Sequence, residues 1–90
     1  MSDFHNQPFE NSVLNERERL KIEIDEAKAK IYKMFASKMT RRAVAREISE
    51  LIASGKLPSE QKMLKAFNAI SVFDLAKQIH SQWELEKLAK

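Results

Sequence analysis

One glycine and two prolines in 90 residues leave this chain few places to bend, which argues for a small number of well-formed helices over a strand-and-turn architecture. Ninety residues make one domain of modest buried fraction, with room for one core and no separate catalytic domain. At 43% apolar and 32% charged, the composition is that of a well-solvated globular protein. No internal repeat or low-complexity segment interrupts it.

The absence of cysteine removes disulfide scaffolds, thiolate metal sites and cysteine nucleophiles together. The leading MSDFHNQPFENS has neither a basic n-region nor an apolar h-region, and no stretch is apolar enough to span a bilayer. A cytoplasmic location is therefore expected, with no membrane partner. Residues 1–12 are polar around Phe4 and Phe9 and are expected to be a flexible arm, followed by a single helical domain over 13–90.

The first helix is expected from Ser12 or Asn15, where Asn15 and Glu18 have capping-box spacing. Val13, Leu20, Ile24, Ala27, Ile31, Met34 and Phe35 recur along one face of it. Core packing within the domain accounts for that stripe, and pairing with a second copy is the alternative. Thr40 is placed to cap a second helix with Val44, Ile48, Leu51 and Ile52 inward and Gly55 as its left-handed stop. Ser59 caps a third, with Met63, Leu64, Phe67 and Ile70 inward and Leu57 stapled onto Met63. Ser71 with Asp74 opens a fourth, with Val72, Leu75, Ala76, Ile79 and Trp83 inward. The expected fold is all-α, a small bundle of three to four helices in which helices 2–4 are compatible with a helix-turn-helix arrangement and Phe67, Ile79 and Trp83 contribute most to the core.

Against this background KAKIYKMFASKMTRRAVAR, residues 28–46, carries seven cations and no carboxylate. Lys28, Lys30 and Lys33 follow a run of acids along the first helix, an order the macrodipole favours, and Glu26 to Lys30 is a stabilising spacing. Helix stability accounts for these lysines. It does not account for Arg41 and Arg42, which fall in the first turn of the second helix, where the dipole disfavours cations by roughly 0.3 to 1 kcal/mol each. An anion reverses that penalty, since a helix N-terminus offers free N–H groups and arginine adds bidentate donors for phosphate. Lys38, Thr40, Arg41, Arg42 and Arg46 then form one phosphate-binding corner, with Glu47 and Glu50 available to neutralise part of it.

The charge is also uneven: residues 1–26 hold seven acids and three bases, net −4, whereas 27–90 hold thirteen bases and six acids, net +7. A basic domain with an acidic leading segment is suited to approach a nucleic acid with one face and keep another for protein contacts. With one tryptophan and one tyrosine, stacking on single strands is poorly provided for, and duplex DNA is the expected partner.

Gly55, Lys56, Leu57, Pro58, Ser59 and Glu60, followed by Leu64 and Ser71, resemble the G-x-LPSE segment of GntR-type winged helix-turn-helix regulators. The resemblance implies that the fourth helix is a recognition helix presenting Ser71, Phe73, Asp74, Lys77 and Gln78. Val72 stands where that family often has an arginine, and no strand-forming hairpin follows to make a wing.

Catalysis has little to rest on. His5 lies in the leading arm, and His80 stands alone on the fourth helix with Glu84 one turn later. The acids of the first helix have no His or Cys companions at metal-ligand spacing, and a lone glycine cannot form a phosphate-cradling loop. No catalytic residue, metal, cofactor or small-molecule substrate is expected.

Two function classes follow. One is a small DNA-binding regulatory or accessory protein, for instance in transcription, whose corner residues hold phosphate with Lys77 adding a further cation. The other is a protein-binding module, an adaptor or inhibitor of a larger partner or a homodimer, docking through Phe4, Phe9, Leu85 and Leu88.

Overall fold

The structure, a computed structural model, describes the backbone of residues 3–89 and the side chains of residues 15–89. Four helices follow one another: α1 (Asp3–Ala36), α2 (Arg41–Ala53), α3 (Glu60–Phe67) and α4 (Val72–Ala89). The protein is an all-α bundle, with no strand among the described residues. α4 is its hub, packing against α1, α2 and α3, while α2 also packs on α1. None of the described helices is long and apolar enough to cross a membrane.

α1 begins at Asp3, ahead of Ser12 and Asn15, where the capping signal places its start. Asn15 therefore lies inside a helix, where i to i−4 bonding already satisfies the backbone groups that a cap would serve. Residues 3–12, expected as part of an arm, are continuous with α1 in the backbone, and the Phe4 and Phe9 side chains expected to dock lie outside the described residues.

The turns share one construction: a left-handed residue stops a helix, and a hydroxyl starts the next. After α1, Lys38 adopts φ 69°. Its N–H donates to the Phe35 carbonyl at 2.9 Å, and the Met39 N–H donates to the Met34 carbonyl at 3.2 Å. After α2, Gly55 adopts φ 78°, with N–H groups of Gly55 and Lys56 donating to the carbonyls of Ile52 and Leu51. After α3, Asn68 adopts φ 52°, with N–H groups of Asn68 and Ala69 donating to Lys65 and Leu64. These are Schellman stops, each satisfying carbonyls that a helix end leaves free. A Cβ at Gly55 would meet no atom within 4 Å, so glycine serves the backbone angle there and not a tight space.

The starts fall where the sequence places them. Thr40 Oγ1 accepts from the Ala43 N–H at 3.1 Å, Ser59 Oγ from Lys62 at 3.3 Å, and Ser71 Oγ from Asp74 at 3.0 Å. The Asp74 carboxylate reaches back to the Ile70 N–H at 3.1 Å and also accepts from Gln78 Nε2 at 3.2 Å.

The buried core draws Ala27, Ile31 and Phe35 from α1, Val44 and Ile48 from α2, Leu57 and Met63 around α3, and Leu75, Ala76 and Ile79 from α4. Leu51, Ile52, Leu64, Phe67, Val72 and Trp83 pack against it half-buried. Phe67 and Trp83 thus lie at its margin, while Phe35 is buried, and the largest fully buried side chains are aliphatic or Met63. Trp83 stacks on Phe35 at 5.9 Å between ring centroids, and the Lys87 ammonium lies 4.0 Å from its ring, leaving that part of the indole at the surface. Ile70 departs further from expectation. The left-handed turn at Asn68 ends α3 before the inward spacing is repeated, and Ile70 is 90% exposed.

α1 and α4 are also fastened by a polar clamp in which Tyr32 Oη donates to Glu86 Oε2 at 2.8 Å. Burial, then the hydrogen bond to Glu86, then the Glu86 charge push the Tyr32 pKa from 10.0 up to about 12. Above the unfolded value the folded chain keeps a proton that the unfolded chain releases. The clamp's contribution is therefore intact below pH 10 and lost as pH rises towards about 12. Glu86→Gln is expected to bring the tyrosinate absorbance transition of this single tyrosine back towards pH 10, and an unmoved transition would assign the shift to burial alone.

Candidate nucleic-acid interface

The turn between α1 and α2 brings Lys38, Thr40, Arg41, Arg42 and Arg46 into one corner, and all five are exposed. Val44 and Ile48 bury the inner side of α2, which turns Arg42 and Arg46, one helical turn apart, towards solvent. Thr40 holds the helix start, and the first turn contains no acidic residue. Glu47 and Glu50 form no ion pair with these arginines; among the described residues the pair that forms is His80 Nδ1 with Glu84 Oε1, at 3.7 Å. Among the described residues, contact with a carboxylate therefore neutralises none of the corner's cations.

Lys38 adds an observation that no spacing rule supplies. A side chain other than glycine or asparagine at φ 69° is strained by roughly 1 to 2 kcal/mol, and this turn is one that glycine serves without cost. The corner thus concentrates cations at three positions where local stability argues against them: Lys38 by backbone angle, Arg41 and Arg42 by the helix dipole. Lys38→Gly is expected to stabilise the fold by about 1 kcal/mol, seen as a melting temperature higher by roughly 4 to 8 °C. An unchanged melting temperature would remove Lys38 from this reasoning.

Two lysines of α1, Lys28 and Lys30, have local partners. Lys28 Nζ lies 5.7 Å from the Tyr32 ring centroid. Lys30 donates not to Glu26, as its spacing suggests, but to the Lys56 carbonyl at 3.0 Å, tying α1 to the chain leaving α2. A carbonyl beyond a Schellman stop is fixed in place, whereas Glu26 is a mobile surface partner. Lys77 is on α4, with its ammonium 5.7 Å from the Phe73 ring centroid, and no hydrogen bond or ion pair joins it to the corner.

The other candidate residues separate clearly. Leu85 and Leu88, on the last turns of α4, are 65% and 82% exposed. Of the residues that the GntR-like segment brings forward, Ser71, Phe73 and Lys77 are exposed, whereas Asp74 and Gln78 are half-buried and bonded to each other. His80 packs edge-on against Phe35 at 4.7 Å and beside Trp83 at 5.8 Å. Two open clefts flank α1, one of about 320 Å³ at Glu16, Arg19, Leu20, Glu23 and Lys62, the other of about 250 Å³ beside Lys30 and Pro58. Among the described residues no three His, Asp or Glu side chains gather to hold a metal ion.

Sequence reasoning missed the exposed turn at Ile70. The signal lay in Asn68, the residue after glycine most tolerant of left-handed backbone, directly after a short helix. Compared with known proteins, the chain matches no family model, no curated protein and no solved structure, and the GntR likeness stays with the one segment 55–71.

Proposed function

We propose that this chain is a small non-enzymatic DNA-binding protein, regulatory or accessory in role, which grips duplex phosphates with the corner at 38–46. The observation that carries this reading is the one at Lys38, Arg41 and Arg42: exposed cations with no ion-pair partner among the described residues, held where backbone angle opposes the first and helix dipole the other two. Phosphate is the ligand that turns each of these features to advantage, through free N–H groups, positive potential and bidentate donors. Duplex is preferred to single strands because Trp83 is covered by Phe35 and Lys87, leaving Phe73 as the one exposed aromatic among the described residues.

Fluorescence anisotropy against labelled duplex DNA across a salt series tests it. Four cations at phosphate predict a fall of log affinity with log salt of slope about −3 to −4. No binding at low salt overturns the reading. The protein-docking alternative would then gain, because Leu85 and Leu88 are apolar and open on the end of α4. Its own signature is salt-insensitive association that is lost in Leu85→Ser with Leu88→Ser.

A further inference from the structure

We infer that the turn between α3 and α4 is where this protein makes apolar contact with DNA base edges, Ile70 meeting thymine methyl groups in the major groove. The inference rests on the duplex-binding reading and adds to the phosphate grip an element that reads bases.

At 90%, Ile70 is the most exposed large apolar side chain among the described residues, and it is not on a loose loop. The Asn68 and Ala69 N–H groups are bonded back to α3, the Ile70 N–H is held by the Asp74 carboxylate at 3.1 Å, and Ser71 caps α4. Half-buried Ala69 and Val72 anchor the turn on either side. The result is a rigid apex that presents a β-branched side chain outward at little entropic cost on binding. Phe73, 44% exposed, extends the apolar surface one helical step onward.

The charges around the apex choose its occupant. Lys65 in the last turn of α3 and Lys77 on α4 are both exposed. Asp74 is the only acid between residues 61 and 83, against Lys62, Lys65 and Lys77, and it accepts from the Ile70 N–H and Gln78 Nε2 through Oδ2. An apolar tip in a segment where lysines outnumber the single acid complements a polyanion that carries apolar groups between its charges. Duplex DNA meets that description: phosphate lines both sides of the major groove, and the thymine C5-methyl is the apolar group displayed on its floor.

The test uses the full chain and a duplex that the wild type has selected from a random pool, together with the same duplex carrying uracil for thymine, which deletes the methyl groups. Ile70→Ala is expected to lower affinity for the thymine duplex about tenfold, with salt slope and melting temperature unchanged. The wild type should lose about as much on the uracil duplex, and Ile70→Ala should lose nothing further there, since the contact is already gone. Wild-type affinity in both Ile70→Ala and Phe73→Ala, alongside lost binding in Arg41→Glu with Arg42→Glu, overturns the inference and leaves the phosphate corner standing. A wild type that binds no duplex at low salt overturns both and makes an acidic protein groove the occupant to seek.

Discussion

Arg41→Glu combined with Arg42→Glu is expected to abolish duplex binding in a chain that melts at least as high as the wild type. The two effects have opposite signs because they come from the same geometry. Thr40 begins α2, so positions 41 and 42 sit over its free N–H groups, and the first turn holds no acid. Replacing a cation with a carboxylate there converts an unfavourable dipole interaction of roughly 0.3 to 1 kcal/mol into a favourable one of similar size, twice over. The variant should gain on the order of 1 kcal/mol or more in stability. Affinity at moderate salt should fall by on the order of a hundredfold, and the salt slope should flatten by about two, one per phosphate contact removed. Surface substitutions that merely disturb folding cannot produce this pair of results. Loss of binding together with a lower melting temperature would make the arginines structural, and retained binding would end the phosphate reading.

Arg41→Lys with Arg42→Lys separates charge from geometry. Lysine keeps the charge and gives up the planar fork, so the slope should hold while affinity drops less than in the reversal. A loss as deep as that of the glutamates would mean that bidentate bonding, and not the field at the helix start, carries the contact.

The helix starts were legible because a hydroxyl cap is a local device: Thr40, Ser59 and Ser71 each serve an N–H three residues on, a relation written in the sequence. The stops were less so. Gly55 announces itself, but Lys38 and Asn68 do the same work with side chains that ordinarily avoid it, and only the backbone angle reveals them. That difference decided Ile70. By spacing alone it continues the row of Met63, Leu64 and Phe67, and a left-handed residue between them turns it outward. The corner was legible for the same reason as the caps, since locating Thr40 locates Arg41 and Arg42. Its lack of carboxylate partners was not, because Glu47 and Glu50 are close in sequence and whether they bridge depends on rotamers that sequence does not set.

Ile79→Ala is the substitution expected to damage the fold most. Ile79 is fully buried on α4, the helix that packs against every other, so a cavity there opens the core along its central helix. Truncating a buried isoleucine costs about 2 to 5 kcal/mol, against a total stability of roughly 5 to 15 kcal/mol for a domain. At about 3 kcal/mol the melting temperature of a chain this size should fall by roughly 12 to 24 °C. Leu88, on the same helix and 82% exposed, supplies the contrast: Leu88→Ala should change stability by no more than about 0.5 kcal/mol. The two variants also divide the functional readings. If the phosphate corner is the binding surface, Ile79→Ala should bind duplex normally at a temperature where it is still folded, because Arg41 and Arg42 are placed by the Thr40 cap and by the burial of Val44 and Ile48. Affinity lost from folded Ile79→Ala, with Leu88→Ala unaffected, would move the binding surface onto α4 itself.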